Sequence, residues 1–220
     1  MELLYYKDAY LKECKSIILD SYEEDGKYYV ILDNNIFYAQ GGGQKGDKGN
    51  IILDNKIYEV INCIKDENKN PIVITNKMIE KDNIGKEVMC KLNWEYRYKQ
   101  MKLHTSLHIL HYLLEQYYNK QLEYPISSNI EDDFAYNKYP MELINDEVIN
   151  YIQNKMNELF NKDIDVITYP SNEDEKYRYW KCMNYVIPCG GAHVKNLMEI
   201  KKVNIGSHIK KGITTVKIML

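Results

Sequence analysis

Arginine is almost missing from this 220-residue chain: of its 29 lysines and arginines, only Arg97 and Arg178 are arginines. With the abundance of Asn, Ile and Tyr, that skew matches the codon bias of an AT-rich genome and carries no functional meaning. No stretch approaches the ~18 uninterrupted apolar residues of a membrane span. The N-terminus, Met1-Glu2-Leu3-Leu4-Tyr5-Tyr6-Lys7, lacks the basic-then-apolar run of a secretory signal. The five cysteines are odd in number and have no framework spacing, and Cys14, Cys63, Cys90 and Cys182 have no close thiol partner in sequence. That usage points to a reducing, cytoplasmic setting with most thiols buried as small hydrophobes. Internal repeats, low-complexity linkers, Walker loops and dinucleotide fingerprints are all absent.

What is present is unevenly charged. The net charge is −3, yet Lys176 to Leu220 holds nine basic residues against Glu199 alone, a net of +8 that leaves −11 for the rest. A basic C-terminal segment is the footprint of a phosphate-bearing partner; the alternative is a solvated lysine-rich face.

The chain has room for one large domain or two small ones. Residues 1–90 read as β, with short runs at Tyr28–Asp33, Ile36–Tyr38, Gly49–Leu53 and Lys56–Ile61 separated by Asn, Asp and Gly turn signals. Asp54-Asn55 between two of them predicts a tight hairpin, and short strands at this spacing favour a small barrel or sandwich. Residues 91–220 change period. Leu103, Leu107, Leu110 and Leu114 predict a helix over Asn93–Asn119 with Asn93 as cap, and a second runs from Asn145 to Phe160. Pro125–Ile130 with Asp133–Tyr136 predict a hairpin, and Asp163–Tyr169, Asn184–Ile187, Glu199–Asn204 and Thr214–Ile218 further strands. Ser171–Glu175 resembles a short capped helix. The expected class is α+β: a barrel-like domain, then two long helices on an antiparallel sheet.

Two pairs of metal-grade residues stand out, His104/His108 and Cys189/His193, each with three residues between its members. On a helix, the i, i+4 spacing turns both imidazoles to one side. Cys189-Gly190-Gly191-Ala192-His193 follows a proline and reads as a tight turn in which thiolate and imidazole converge. Three imidazoles and one thiolate suit tetrahedral zinc; the alternative is that each pair packs locally. His111 extends the helical series, but a third ligand there would lie about 10 Å along the axis, so packing or support of a ligand fits it better. Thr105 either bonds the helix backbone or lines a small polar pocket. His208, in a basic loop, reads as surface.

Ala39-Gln40-Gly41-Gly42-Gly43-Gln44-Lys45-Gly46-Asp47-Lys48-Gly49 is too glycine-dense for a plain turn. Its backbone can approach a ligand closely and present amides to it, or simply flex between strands.

Three ordered motifs carry a resemblance: Phe37-Tyr38-Ala39-Gln40-Gly41-Gly42-Gly43-Gln44-x-Gly46-Asp47-x-Gly49; Trp94-x-x-Arg97 through His104-Thr105-x-x-His108; and Cys189-Gly190-Gly191-x-His193-Val194-x-Asn196. Over nearly its whole length the chain resembles the AlaX proteins. These are free-standing relatives of the alanyl-tRNA synthetase editing domain, itself similar to the editing domain of the threonyl enzyme. The resemblance implies hydrolysis of the ester in mischarged tRNA(Ala), chiefly Ser-tRNA(Ala) and also Gly-tRNA(Ala), in trans to the synthetase. It makes His104, His108, Cys189 and His193 ligands of Zn2+. Thr105 and Gln44 become catalytic-site residues facing the amino acid, and Gly41, Gly42, Gly43, Gly190 and Gly191 line the substrate pocket.

The acceptor end of tRNA(Ala) is the implied partner, with Lys195, Lys201, Lys202, Lys210 and Lys211 on its phosphates; no membrane and no obligate protein partner are indicated. Ala192 stands where the family usually has threonine, and Leu197–Lys201 lacks the usual Thr and Gly, which bears on amino-acid selectivity and the fit of the tRNA end. No long extension follows Leu220, so docking through one is not expected. The competing functions are a zinc-stabilised tRNA-binding module without catalysis, editing of Ser-tRNA(Thr), and a metal hydrolase of small esters.

Overall fold

Short β-branched runs and tight turns close the first part of the chain into a barrel. The computed structural model describes residues 1–140 and 144–220, and these form two compact units. One comprises residues 1–41 and 45–98, the other 42–44 and 99–220.

In the first unit, β1 (Glu2–Leu3) is followed by the single turn α1 (Leu4–Lys7), then β2 (Glu13–Glu24), β3 (Lys27–Leu32), β4 (Asn34–Asn35), β5 (Gly49–Leu53), β6 (Lys56–Lys65), β7 (Pro71–Thr75) and β8 (Glu87–Leu92). The barrel order is β2-β3-β7-β6-β5-β8, all antiparallel, with β8 returning to β2; β1 pairs with β4 in parallel. Closure leaves no edge strand to aggregate. Inward alternate residues, among them Ile18, Val30, Leu32, Ile51, Val60, Val73 and Val88, form the core, each worth about 1.5–3 kcal/mol of burial. The β5–β6 hairpin turns on Asp54 and Asn55 at φ 48° and 65°, the two left-handed residues of a type I′ turn.

The expected strand at Ile36–Tyr38 does not form. Its backbone is engaged elsewhere: the Ile36 carbonyl accepts from the Arg97 guanidinium, and Tyr38 N–H donates to the Asp47 carboxylate. Strands β2, β7 and β8 are additions that the sequence pattern does not predict.

The helix α2 (Trp94–Tyr118) contributes its first turn to the first unit and the remainder to the second. Asn93 caps it, its side chain accepting from Tyr96 N–H at 3.1 Å. From Met101 to Leu114 it is buried on most sides, polar His104, Thr105, Ser106 and His111 included, so it is a core helix, not a surface one. The second unit continues with β9 (Ser127–Ile130), β10 (Phe134–Tyr139), α3 (Asp146–Leu159), β11 (Val166–Pro170), β12 (Arg178–Cys182), β13 (Tyr185–Pro188), β14 (Asn204–Lys210) and β15 (Ile213–Met219). These strands make two antiparallel sheets, β14-β15-β10-β9 and β11-β12-β13. Asn145 caps α3 as its sequence position indicates, accepting from Val148 N–H.

Two expectations fail in this unit. Ser171–Glu175 is not helical; Ser171 and Asp174 side chains each close a local turn on the backbone two residues ahead. Glu199–Asn204 is not a strand. Leu197–Glu199 is a 3-10 turn locked by a capping box, in which Asn196 and Glu199 side chains satisfy backbone N–H groups reciprocally, and β14 starts only at Asn204. The overall class is α+β: a closed six-stranded barrel, then helices with antiparallel sheets. No helix among the described residues is long and apolar enough to cross a membrane.

Candidate metal centre

The i, i+4 spacing on α2 sets the rings of His104 and His108 4.8 Å apart. The loop after β13 brings up the other pair. Its start is held by Cys189 N–H on the Arg178 carbonyl, and its end by the Lys195 carbonyl accepting from Val166 N–H, both at 2.9 Å. Gly191 is needed for this approach, because a Cβ there would collide with the His104 ring. The ligand atoms of His104, His108, Cys189 and His193 all lie within 4.8 Å of one another. Cys189 Sγ stands 3.6 Å from His104 Nε2 and 3.3 Å from His193 Nε2. Tetrahedral zinc, with its ordinary bond lengths to sulfur and nitrogen, separates such atoms by about 3.6 Å.

Hydrogen bonds behind the rings fix which nitrogens point inward. Gln44 Oε1 lies 3.0 Å from both the Ala192 N–H and His104 Nδ1. A backbone N–H can only donate, so the amide oxygen of Gln44 is assigned by chemistry, and His104 Nδ1 must carry the proton that faces it. His104 Nε2 is thereby left bare toward Cys189. Thr105 Oγ1 lies 3.0 Å from His193 Nδ1, and with the proton on Nδ1 it accepts that N–H and leaves His193 Nε2 bare as well. Such partners orient metal-binding imidazoles and raise their basicity.

Burial sets the protonation states. It holds His104 down to about 4 and His108 and His193 well below the usual histidine value, neighbouring imidazoles adding to the effect on the last two. All three are neutral, the form that binds metal. Burial also pushes the Cys189 thiol up to about 11, so binding a cation would have to displace its proton.

Three buried polar atoms here lack a partner among the described residues: His108 Nε2, Gln44 Nε2 and Trp180 Nε1. The first belongs to a member of the cluster, which contains no carboxylate among the described residues. The donor set and its spacing fit a metal ion and are compatible with zinc.

The remaining expected residues divide. Gly42 and Gly43 belong to the same unit as the cluster; Gly43, at φ 83°, bonds Ile130 N–H through its carbonyl and has no room for a Cβ beside Ser128. Gly41 falls in the first unit. Lys195 follows His193 by two residues and is exposed, as are Lys201 and Lys202. Lys210 and Lys211 are elsewhere, at the β14–β15 turn. His111 does not join the ligands but stacks parallel on Tyr139, with ring centroids 5.8 Å apart. His208 is in strand β14, not a loop.

Trp180 carries no sequence signal, yet it is fully buried with its ring 4.9 Å from His108 and 5.9 Å from His193. Lys102 is equally silent in the sequence. Its pKa is lowered by partial burial and then by the ammonium of Lys201, which places two cations together near the ligand-bearing stretch of α2.

Comparison with known proteins points to the same family. The family model described as "tRNA synthetases class II (A)" matches residues 6–96. The alanyl-tRNA editing protein AlaX-M of Pyrococcus horikoshii is 36% identical over 211 residues, covering 94% of this chain and 88% of that protein. AlaX-L of the same organism is 30% identical, covering 96% of this chain and 55% of its own length. The alanine–tRNA ligase of Pyrobaculum calidifontis is 26% identical over 92% of this chain but only 24% of the ligase. With its glycine-rich motif, its His104/His108 and Cys189/His193 pairs and a near full-length match to AlaX-M, the chain belongs to the alanyl-tRNA editing protein family.

Proposed function

We propose that this chain is a trans-editing deacylase that hydrolyses the ester of mischarged tRNA(Ala), chiefly Ser-tRNA(Ala) and also Gly-tRNA(Ala), with His104, His108, Cys189 and His193 holding zinc. The observation that carries the proposal is the set of unpartnered polar atoms on residues at or beside one buried cluster: His108 Nε2, the Gln44 amide N–H groups and the Trp180 indole N–H. Buried polar atoms are ordinarily paired, so three left open together await a ligand. The names of the relatives, alanyl-tRNA editing proteins, supply the substrate class.

When bound, zinc would act as a Lewis acid toward the ester carbonyl oxygen or the lone pair of the neutral amino group. The protein's own groups have separate tasks. Gln44 keeps His104 in the required tautomer through Oε1 and offers its amide hydrogens to substrate oxygen. Thr105 orients His193 by accepting from Nδ1–H and keeps its own O–H proton to give to a serine hydroxyl. A site that hydrogen-bonds a hydroxyl rejects the analogue lacking it far better than an apolar pocket can, which is the basis for sparing Ala-tRNA(Ala). Gly41, Gly42, Gly43, Gly190 and Gly191 let backbone come close to the aminoacyl end. Lys195, Lys201, Lys202 and Lys102 position the acceptor stem through its phosphates, and these contacts carry no sequence information.

Four protein ligands at once complete a tetrahedron, which favours one other reading: a structural zinc in a tRNA-binding module without catalysis. Deacylation of Ser-, Gly- and Ala-tRNA(Ala) and of Ser-tRNA(Thr) by wild type and His108→Ala separates them. The deacylase reading expects turnover of Ser-tRNA(Ala) by wild type and none by the variant. No turnover of any substrate by the zinc-loaded protein would overturn it.

A further inference from the structure

The four-stranded sheet of the second unit has two faces, and only one belongs to the site. On β10, Ala135, Asn137 and Tyr139 point inward and are buried. Asn137 reaches the Leu107 carbonyl of α2 at 3.4 Å, and the Tyr139 hydroxyl lies 3.3 Å from His111 Nδ1. Strand alternation turns Phe134, Tyr136 and Lys138 to the opposite face, away from the helix that carries His104 and His108. There Tyr136 lies opposite Lys217, and Lys138 opposite Thr215. The same row continues onto β14, where Gly206 faces Lys217. A Cβ at Gly206 would meet nothing within 4 Å, so the row ends in open space.

The result is a groove of about 550 Å³, lined chiefly by Phe134, Tyr136, Lys138, Lys210, Lys211 and Lys217 and containing no carboxylate. Phe134 and Tyr136 are stacked, with centroids 6.4 Å apart. Lys217 Nζ stands 3.7 Å from the Phe134 ring centroid and Lys138 Nζ 5.4 Å from that of Tyr136. His208 adds a fifth side chain able to carry positive charge. No ion pair to an acidic side chain neutralises these four lysines among the described residues. Lys210 and Lys211 belong to the basic segment that the sequence displays; the fold sets them beside two aromatic rings from a strand much earlier in the chain.

We propose that this groove is a second nucleic-acid contact, distinct from the metal centre, which takes unpaired RNA nucleotides by stacking bases at Phe134 and Tyr136 while the lysines bind the flanking phosphates. Aromatic rings interleaved with cations on an open sheet face suit single strands, whose bases are free to stack, whereas a duplex offers such a face only its phosphates. The commitment to RNA over an acidic protein or a lipid surface rests on that interleaving: charge alone would serve any polyanion, but rings beside Lys138 and Lys217 reward a stackable one.

The test uses the full-length zinc-loaded protein and a short, fluorescently labelled RNA with no self-complementarity. This RNA carries no ester, so the result stands apart from whether the chain is a deacylase. Anisotropy titrations are expected to show saturable binding that the Phe134→Ala/Tyr136→Ala variant weakens about tenfold or more. Lys210→Glu/Lys211→Glu is expected to flatten the dependence of log K on log salt by roughly 0.7 for each phosphate released. Melting temperature and zinc content of each variant establish that it is folded. The proposal is overturned if wild type does not bind, if the folded aromatic variant binds as wild type does, or if duplex RNA or phosphatidylserine vesicles bind with equal strength through the same lysines.

Discussion

Two buried polar clusters, one in each unit, obey opposite rules. In the first unit, Arg97 is fully buried, and its guanidinium is spoken for: it meets the Asp47 carboxylate through two nitrogens and donates to the carbonyls of Ala9 and Ile36. Asp47 also accepts from Tyr38 N–H. That cluster is complete in itself. In the second unit, the four candidate ligand side chains are buried or nearly so, yet His108 Nε2, Gln44 Nε2 and Trp180 Nε1 are left without partners among the described residues. A satisfied buried network rigidifies a fold, while polar atoms left open carry a desolvation cost that a ligand, ion or water would relieve. The contrast is sharpest within the glycine-rich motif, where Asp47 serves the closed cluster and Gln44, three residues earlier, the open one.

The contrast can be broken from either side. The largest effect is expected for His108→Ala: zinc retained after dialysis and Ser-tRNA(Ala) deacylation both fall to background, measured by metal analysis and acid-precipitable radiolabel, with the barrel unaffected. Next, Arg97→Met strands the Asp47 charge in the protein interior and is expected to cost about 3–5 kcal/mol in chemical denaturation. Its folded fraction keeps zinc, and Arg97→Met/Asp47→Leu recovers part of the loss. If Arg97→Met released the metal while leaving stability intact, the two clusters would not have separate tasks.

Gln44→Ala removes support behind His104 and is expected to weaken zinc affinity or deacylation roughly 10–100-fold, with a melting-temperature change smaller than that of Arg97→Met. The smallest effect concerns acid. In the chelated protein, burial holds His104 down to about 4, whereas an unfolded histidine takes its proton near 6.5. Between those values the unfolded chain binds the extra proton, so stability falls as the pH falls through the window. Calorimetry of the chelated protein is expected to show a declining melting temperature from pH 6.5 toward 4, and a flat profile there would mean the imidazoles are not held neutral.

Much of this is legible from periodicity. The leucines of α2, the Asn93 and Asn145 caps and the Asp54-Asn55 turn are local signals, and the structure realises each of them. Strand β2 is not legible because a bulge between Ile18 and Asp20 breaks its alternation, and β7 because all five of its residues are buried, leaving no period to detect. Ile36–Tyr38 has strand composition, but Arg97 and Asp47 take its backbone groups, a tertiary fact that no window reveals. At the site, His104 and His108 announce themselves by spacing. Trp180 has no motif around it, and the link from Gln44 to Ala192 N–H spans residues far apart in sequence.

One consequence concerns durability. The Cys189 thiol is raised to about 11 by burial, and oxidants attack the thiolate rather than the thiol. At neutral pH Cys189 therefore stays mostly a thiol wherever no cation displaces its proton, the form less open to conversion to sulfenic or higher acids. The burial that disfavours the thiolate thus also shields this sulfur from oxidants.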